Sequence, residues 1–563
     1  MDYKKELAKA LEKAGAKNAQ DTIETPPNRE MGDFAFPCFL LAKEFKKSPI
    51  QIATELKEKI KLPKAFEKTE AKGPYLNFFL NSNMLSKETI TEILKQKQKY
   101  GFEKKKKGKI SVEYCQANPM KAFHIGHVRN ICLGESIARI FEASGSKAMR
   151  IYYGGDVGSH VSKTIYAYEN LPHKAEPKEI HEKGKWLGEL YRMGSQEVRE
   201  KPELEEKMRE MVVLLEKGDK KLKEDWKKLR KISLEYFDSI YKDLDVKFDK
   251  IILESDVEKE GIKIAKQLLE KGIAKKDEGA LLVDLTKYNI EKFLVLKSDG
   301  AALYSSKDLA LAKMKQEKFK ISKNYYVVGS EQSFYFQQLF KTIEIMGEKS
   351  KEKYEGIHIS YELVRLEGGK MASREGNVIT YAELFNTIYE KVFNETKERH
   401  PDWNAKKIQE TSREITLTSI KFGMLAQDKN KVIVFNWEKA TSIEGETGLF
   451  VQYSIARANS ILKKAGKTGK ANYNFAHEKE KDLVAKISEY KEKVKEAANT
   501  QSPHKLAHYL LELASAFNSF YHDVPVLKAQ ESEKNARIAL VKATKQVMEN
   551  GLNLLNITPM EEM

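Results

Sequence analysis

The chain has few cysteines and no long apolar run, and each absence excludes a class of protein. Three cysteines occur among 563 residues, at Cys38, Cys115 and Cys132. Their spacing gives neither a disulfide framework nor a set of metal ligands, so we expect no structural metal. No run approaches the roughly 18 apolar residues of a membrane helix, and the first residues, MDYKKE, are unlike a signal peptide. We therefore predict a cytoplasmic protein with no membrane partner.

Length and charge set the next limits. A chain of 563 residues is too long for one hydrophobic core, so three or four domains are expected. Lysine and arginine outnumber aspartate and glutamate by 99 to 83, a formal charge of +16. This excess suits a polyanionic partner such as a nucleic acid, although scattered surface lysines give the same sum.

The segment 117–127 (ANPMKAFHIGH) carries the most informative local pattern. It follows a predicted buried strand at 110–114 and precedes apolar residues at helical spacing. Nucleotides usually bind at the carboxyl end of such a strand. His124 and His127 lie on one face of the helix start, where free backbone N–H groups and the helix dipole favour an anion. Gly126 would let a flat ring or a phosphate approach the backbone.

Two interpretations of this segment remain open on local grounds. Either it binds ATP with the histidines on the phosphates, or the helix carries two histidines that are satisfied by their neighbours. The four residues 124–127 resemble the HIGH motif of class I aminoacyl-tRNA synthetases. That resemblance implies catalytic roles for His124 and His127, and ATP contacts at His124, Gly126 and His127.

Residues 1–105 are predicted to form a first domain. The segments MGDFAFPC (31–38) and GPYLNFFLN (73–81) resemble the appended N-terminal domain of arginyl-tRNA synthetases. In that family the domain contacts the tRNA elbow, which implies tRNA contacts at Tyr75 and Asn77. Aromatic residues in such segments are also commonly core. A lysine run at 104–107 is a plausible linker.

Residues 106–395 are predicted to form the catalytic domain. A second strand should end at 154–158 (GGDVG), where glycine and aspartate suit a ligand contact or form an ordinary turn. The family usually has Asp-Trp-Gly-Thr-Gln here, and Val157 and His160 depart from it, so no role is carried over to those two positions. Residues 170–250 are rich in lysine and glutamate at helical spacing. We expect them to form a helical insertion with solvated faces and no evident chemistry.

The resemblance also implies a set of substrate contacts. It places arginine at Glu113, Asn118, His124, Tyr304, Asp308 and Gln332. A guanidinium is planar and permanently charged, so carboxylates such as Asp308 and Glu113 suit it in bidentate geometry. The amide oxygens of Asn118 and Gln332 suit the α-ammonium group. Taken alone, Asp308 is as well explained by an ordinary ion pair on a helix surface.

A second motif lies at 368–377 (GGKMASREGN). This glycine-flanked basic loop resembles the KMSKS loop, with Lys370 at the first lysine position and Ser373 where the second lysine is usual. Arginyl-tRNA synthetases often have a lysine just ahead of the HIGH motif instead, and Lys121 matches that position. The resemblance implies catalytic roles for Lys121, Lys370 and Arg374, and ATP contacts at Lys370 and Met371.

Residues 396–563 are predicted to be helical. The fragments FVQYSIARA (450–458) and LAHYLLELASAFNSFYHDVPVL (506–527) resemble the DALR-type anticodon-binding bundle of the same family. Most of the apolar stripe in the second fragment should be core. Exposed side chains such as Gln452, Tyr453 and Arg457 could contact anticodon bases by stacking and edge hydrogen bonds.

The sequence therefore predicts a multidomain α/β chain. Its parts are an N-terminal α+β appended domain, a class I Rossmann-like catalytic domain with a parallel sheet, and a C-terminal all-α anticodon-binding bundle. The resemblance implies an arginine–tRNA ligase that uses ATP with Mg²⁺, L-arginine and tRNA-Arg, and that acts as a monomer. Its closest rival is a class I synthetase for lysine, because carboxylates also suit an ammonium. A regulatory RNA-binding protein that has lost catalysis is a second rival, which the intact His124 and His127 argue against.

Overall fold

The computed structural model describes residues 3–321, 323–347, 354–366, 378–436, 445 and 447–563. The chain divides into two compact units. One unit contains residues 1–100, 457–490 and 513–547, and the other contains 101–456, 491–512 and 548–563. Among the described residues, no helix combines the length and apolarity that crossing a bilayer requires.

The first unit begins with a small α+β region. Its antiparallel sheet has the order β1-β3-β2. The elements are α1 (Tyr3–Lys13), α2 (Ala19–Thr22), β1 (Phe34–Pro37), α3 (Ala42–Phe45), α4 (Pro49–Lys59), β2 (Phe66–Lys72), β3 (Tyr75–Leu80) and α5 (Ser82–Gln96). The start of α4 shows how the sequence fixes an element, because Ser48 and Gln51 form a reciprocal capping box around Pro49 at the first helical position.

The second unit is built on a five-stranded sheet of order β11-β10-β4-β5-β6, in which every pair is parallel. The first half comprises β4 (Lys109–Glu113), α6 (Ile125–Ala143), β5 (Lys147–Gly154), α7 (Ser159–Asn170), α8 (Ile180–Glu200), α9 (Leu204–Lys217), α10 (Lys220–Asp243), β6 (Lys250–Leu253) and α11 (Glu254–Glu270). The strand and helix predicted on either side of residues 117–127 are confirmed as β4 and α6. Nearly all the apolar residues of both elements are buried, as expected for a parallel sheet that is covered by helices.

The second half of this unit continues the same alternation. It comprises β7 (Ala274–Asp277), β8 (Ala280–Val283), β9 (Phe293–Leu296), α12 (Tyr304–Glu317), β10 (Lys323–Gly329), α13 (Ser333–Gly347), β11 (Glu355–Tyr361), β12 (Val364–Leu366), α14 (Tyr381–Arg399), α15 (Ala405–Leu425) and β13 (Ile433–Phe435). Strands β7, β8 and β9 form a separate antiparallel sheet, and β12 pairs with β13 in parallel.

The C-terminal region is helical, as the sequence predicts. Its helices are α16 (Gly448–Ala465), α17 (Glu478–Ser488), α18 (Tyr490–Thr500), α19 (Pro503–Asp523) and α20 (Glu531–Leu554). The apolar stripe of α19 is core: Leu506, Leu510 and Phe517 are fully buried.

Helices α8, α9 and α10 form the predicted insertion, and their faces are not all solvated as expected. They share a hydrophobic core with α7 that includes Trp186, Leu190 and Leu229. Met120, which follows Pro119 in the loop after β4, is fully buried in the same core. The insertion is therefore packed directly against the segment that carries the histidine pair.

Candidate active site

The candidate site lies outside the carboxyl ends of the parallel strands, where the strand order changes direction. Strand β4 has β5 on one side and β10, which comes much later in the chain, on the other. Loops leaving the two sides of such a point diverge, and α/β proteins bind ligands in the crevice between them. The loop 114–124 and the start of α6 occupy this position.

The second turn of α6 holds the ends of three strands together. The Asn130 side chain accepts a hydrogen bond from the Cys115 backbone N–H after β4. Its amide nitrogen lies 2.8 Å from the Val327 carbonyl oxygen in β10 and 3.0 Å from the Tyr361 hydroxyl in β11. The start of α6 is thus held rigidly above the crevice.

The two histidines are stacked on each other at the start of α6. Their ring centroids are 3.8 Å apart and the rings are inclined by 22°. The Nδ1 of His124 accepts from the Gly126 N–H at 3.1 Å, and the Nδ1 of His127 accepts from the His124 N–H at 3.2 Å. With both Nδ1 atoms acting as acceptors, each neutral ring carries its proton on Nε2.

Both histidines are neutral at physiological pH. Burial lowers the pKa of His124 to about 4, and the positive charge of Lys121 acts in the same direction. Burial also holds the pKa of His127 well below its usual value, with His124 and Lys121 adding to the effect. The pair therefore offers two uncharged Nε2–H donors, which can bind phosphate oxygens without bringing a buried positive charge.

The expected free backbone N–H groups at this helix start are not found. The Ile125 N–H donates to the Ile379 carbonyl at 2.9 Å, and the His127 N–H donates to the His124 carbonyl at 2.8 Å. The Gly126 N–H donates to the His124 ring. The expectation of an anion site made from backbone donors is wrong, because the histidines themselves and the residues just before α14 take those donors.

Gly126 is required by the histidine ring rather than by space for a ligand alone. A Cβ atom at this position would lie 3.0 Å from both Cε1 and Nδ1 of His124. Such a distance is shorter than ordinary van der Waals contact, so a side chain would displace the ring from its hydrogen bond. The glycine allows His124 to fold back over the helix start.

Lys121 lines a cleft of about 810 Å³. Asn118, His124 and His127 line the same cleft. The Lys121 ammonium lies 5.3 Å from the centroid of the Tyr191 ring, a cation–π contact with the insertion. The structure therefore brings together the lysine and the two histidines that the sequence singled out.

Helices α8 and α14 supply part of the wall of this cleft, together with α10 and α15. Tyr191 and Arg192 of α8 and Phe385 and Tyr389 of α14 are among the lining residues. The insertion was expected to carry no evident chemistry, yet it forms one side of the cleft that contains Lys121. Its sequence gave no signal of this role, because lysine and glutamate at helical spacing are typical of any solvated helix.

A second cluster, which we call the acidic pocket, forms between β4, α11 and α12. Its carboxylates are Glu113, Glu254 and Asp308. The charges of Glu113 and Glu254 raise the pKa of Asp308, and the charges of all three raise the pKa of Tyr153. Tyr335 of α13 donates its hydroxyl to Asp308 and packs its ring 5.0 Å from that of Tyr304. Helix α12 begins at Tyr304, so Tyr304 and Asp308 lie one turn apart at its start.

Two of the three carboxylates are already paired. Glu113 accepts from the fully buried Lys315 at 2.5 Å, and Glu254 accepts from Lys307 at 2.9 Å. Asp308 makes no ion pair with any lysine or arginine among the described residues. Burial raises the pKa of Asp308 to about 7, and the charges of Glu113 and Glu254 add to the effect. Sequence reasoning missed Lys315, Lys307, Glu254 and Tyr335, which no local motif marks.

Asn118 links the histidine loop to the end of β5. Its Oδ1 accepts a hydrogen bond from the Gly155 N–H at 2.9 Å. A Cβ on Gly155 would lie 2.9 Å from Glu254 and 3.0 Å from Asn118, so the glycine is needed for this close approach. The amide oxygen that was expected to bind the α-ammonium has one lone pair engaged and can accept a second donor.

Asp156 has a structural role. It is fully buried, and its carboxylate accepts from Arg230 at 2.8 Å and from the Ser255 hydroxyl at 2.7 Å. Trp226 donates to its backbone carbonyl at 2.7 Å. Of the two interpretations of the 154–158 turn, the ordinary turn is the better one for this side chain, because it joins the insertion to the start of α11.

The remaining predicted substrate residues are placed less tightly. Tyr304 is 58% exposed at the first position of α12. Gln332 is exposed in a short 3₁₀ turn directly after β10. Tyr304 is thus at a helix start, and Gln332 is at the carboxyl end of a strand of the parallel sheet. Lys370, Met371, Ser373 and Arg374 lie outside the described residues.

Two predicted tRNA contacts are buried. Gln452 was expected to be exposed, but it is fully buried and holds the C-terminal segment: its amide nitrogen donates to the Thr558 carbonyl at 2.7 Å and its oxygen accepts from the Met560 N–H at 2.9 Å. Asn77 is 5% exposed, so its side chain offers little surface to an RNA. The expectation that Gln452 is exposed is wrong, because the C-terminal segment packs over it and helical periodicity does not indicate that contact.

The other predicted tRNA residues remain at the surface. Tyr453 is 42% exposed. Tyr75 is half-buried and packs edge to face against Phe39, with centroids 5.9 Å apart. Arg457 lies over the Tyr521 ring at 4.7 Å and donates to Asn518 at 2.5 Å. Their roles stay predictions.

Comparison with known protein families covers nearly the whole chain. Residues 89–437 match the catalytic domain of class I tRNA synthetases (R). Residues 451–563 match the DALR anticodon binding domain, and residues 1–80 match the arginyl tRNA synthetase N-terminal domain. Within the described residues no group of three or more histidine, cysteine, aspartate or glutamate side chains is placed to hold a metal ion.

Proteins similar in sequence or structure match this chain over nearly their whole lengths. The chain is 36% identical over 563 residues to an arginine–tRNA ligase of Clostridioides difficile, covering 99% of this chain and 98% of the relative. It is 36% identical to one of Alkaliphilus metalliredigens, with complete coverage of both. The Thermus thermophilus arginyl-tRNA synthetase structure superposes with a TM-score of 0.86 at 28% identity, covering all of both chains. The chain belongs to the arginyl-tRNA synthetase family of class I tRNA synthetases.

Proposed function

We propose that this chain is an arginine–tRNA ligase. It activates arginine with ATP to arginyl-AMP, then transfers arginine to the 3′-terminal adenosine of tRNA-Arg, releasing AMP and pyrophosphate. The observation that carries this function is the proximity of two sites that meet at Gly155, which contacts Asn118 of the histidine cleft and approaches Glu254 of the acidic pocket. A donor set of Lys121, His124 and His127 suits phosphates, and an acidic pocket short of one positive charge suits a guanidinium.

Adenylate formation requires stabilisation of negative charge on the α- and β-phosphates during in-line attack by the arginine carboxylate. Lys121 supplies a positive charge next to the histidines, and His124 and His127 supply neutral N–H donors. The sequence assigns Lys370 and Arg374 to the same task, and that assignment stays a prediction. Mg²⁺ would accompany ATP, held mainly by the phosphate oxygens, as is usual for this ion.

Selection of arginine follows from the charges of the acidic pocket. Asp308 is a buried carboxylate on which the negative charges of Glu113 and Glu254 act, and both of these are themselves paired with lysines. A neutral amino acid would supply no compensating charge, so its binding would gain nothing from the charge of Asp308. Lysine is the nearest competitor, since an ammonium also supplies the missing charge.

Transfer requires the tRNA to reach the same crevice. The family resemblance implies attack by the 2′-hydroxyl of the terminal ribose and a need for tRNA during activation. The basic balance of the chain supports a polyanionic partner, and phosphate contacts should make the affinity for tRNA fall with rising salt. The monomeric state and the residues that contact tRNA stay predictions.

One assay tests the function. ATP–pyrophosphate exchange is measured with each amino acid in turn, with and without total tRNA. Exchange should depend on arginine, rise strongly when tRNA is present, and be absent with lysine. Exchange that depends on lysine, or none with any amino acid in the presence of tRNA, would contradict the proposal.

A further inference from the structure

The hydroxyl of Tyr153 is buried in the acidic pocket without a hydrogen bond. Tyr153 lies near the end of β5 and is 9% exposed. Its hydroxyl oxygen makes no hydrogen bond to any residue that the structure describes. A buried polar group without a partner is unfavourable, so its presence calls for an explanation.

The surroundings of this hydroxyl are negatively charged. Burial holds its pKa well above the usual value for tyrosine, and the charges of Asp308, Glu254 and Glu113 act in the same direction. The hydroxyl is therefore neutral and protonated. Tyr335, on the other side of Asp308, does donate its hydroxyl to that carboxylate. The two tyrosines differ in that Tyr335 donates a well-formed hydrogen bond to Asp308, whereas the Tyr153 hydroxyl lies close enough for Asp308 to raise its pKa but forms no hydrogen bond of acceptable geometry.

The charge balance of the pocket indicates what is missing. Lys315 is fully buried against Glu113, and Lys307 is 9% exposed against Glu254. These two pairs are neutral overall, which leaves one carboxylate, Asp308, uncompensated among the described residues. The pocket therefore lacks one positive charge, and the Tyr153 hydroxyl lies within reach of the uncompensated Asp308 carboxylate.

We propose that Tyr153 is a specificity-determining residue that accepts a hydrogen bond from the substrate guanidinium beside Asp308. The inference rests on the proposed function. A guanidinium presents five N–H donors in a rigid fork, of which one carboxylate edge takes two. The remaining donors need acceptors at fixed directions. The phenolic oxygen of Tyr153 supplies one, whereas the compact lysine ammonium does not spread its donors over the same edge.

The test replaces Tyr153 with phenylalanine, which keeps the ring and removes the acceptor. The KM for arginine in tRNA-dependent ATP–pyrophosphate exchange should rise roughly 10- to 100-fold, the effect of losing a hydrogen bond to a charged group. The KM for ATP should be unchanged. Because the hydroxyl is unpaired without ligand, the melting temperature of the ligand-free Tyr153→Phe enzyme should equal or exceed that of the wild type.

Tyr114→Phe is the matched control. Tyr114 follows β4, is fully buried, and donates its hydroxyl to Glu135 at 2.7 Å. Its loss should lower the melting temperature and leave the KM for arginine unchanged. Protection by arginine against thermal unfolding gives a second readout that does not depend on catalysis. It should be reduced in the Tyr153→Phe enzyme and intact in the control.

The outcomes separate the two proposals. If wild-type exchange does not depend on arginine, the proposed function fails. If it does, and Tyr153→Phe retains both the wild-type KM and full protection by arginine, only the inference about Tyr153 fails. Equal increases in KM for the two variants would likewise overturn it, because they would show a general response of the sheet to losing a buried hydroxyl.

Discussion

The affinity for arginine should depend on pH through the ionisation of Asp308. Burial raises the pKa of this carboxyl to about 7, and the negative charges of Glu113 and Glu254 add to the shift. The Tyr335 hydroxyl and the Lys315 ammonium oppose it. A guanidinium binds the ionised form, so protonation of Asp308 competes with arginine in the range where enzymes are usually assayed.

The sign and size follow from this pKa. At pH 6 about one tenth of the carboxyl is ionised, so affinity should be about tenfold below its plateau above pH 8, and about a hundredfold below at pH 5. The stability of the ligand-free protein should change in the opposite direction. Because folding raises the pKa of this carboxyl, the free energy of unfolding of the ligand-free protein falls as pH rises from about 4 to 7. A difference of about 3 pKa units amounts to about 4 kcal/mol.

Calorimetric titration of arginine into the ligand-free enzyme between pH 5.5 and 8.5 measures this dependence. The Asp308→Asn variant keeps the shape of the side chain and removes its charge, so its affinity should be low and independent of pH. Burial holds the pKa values of His124, His127 and His160 below this range, so these rings do not contribute. A flat wild-type profile, or an unchanged slope in Asp308→Asn, would refute the reasoning.

Three further predictions concern other parts of the second unit. Lys121→Ala should lower kcat for adenylate formation on the order of 100-fold while changing the arginine dissociation constant less than about threefold, and unchanged turnover would refute its role. Arg230→Met leaves the buried Asp156 unpaired and should lower the free energy of unfolding by about 3 kcal/mol in urea titrations; an effect below about 1 kcal/mol would show that Ser255 and Trp226 suffice. Gln452→Ala should cost about 1–3 kcal/mol of stability without changing tRNA affinity in filter binding, and a selective loss of tRNA affinity would restore its predicted contact role.

The parts of the site that the sequence predicts well are those fixed by short stretches of chain. Strand β4 and the start of α6 are confirmed, because a strand and a helix are each determined largely by neighbouring residues. Local chemistry was also sufficient to single out the pair His124 and His127.

The parts that sequence analysis missed depend on contacts between distant residues. Lys315 reaches Glu113 across 202 positions of the chain, and Lys307 reaches Glu254 across 53. Each lysine occupies a helix of mixed charge, where a solvated side chain is the usual expectation. The burial of Gln452 depends on a segment more than 100 residues away. Periodicity contains no information about such partners.

The expectation of free backbone N–H donors at the start of α6 was wrong for a local reason. The sequence pattern fixed the position of the helix start but not the tautomer or rotamer of its histidines. Once Nδ1 of His124 accepts from Gly126, and Nδ1 of His127 accepts from His124, two donors are used and two Nε2–H groups are presented instead. The anion site moves from the backbone to the imidazole rings.

One physical principle unites the two halves of the crevice. Burial makes uncompensated charge costly, and the chain keeps most of its own groups there neutral or paired. His124 and His127 are uncharged, and Glu113 and Glu254 are matched by lysines. In the described part of this pocket, the carboxylate that remains without a lysine or arginine partner is Asp308, where a guanidinium would lie. Arginine then supplies the charge that this half of the site lacks, so its binding relieves an electrostatic cost that the folded protein bears without it.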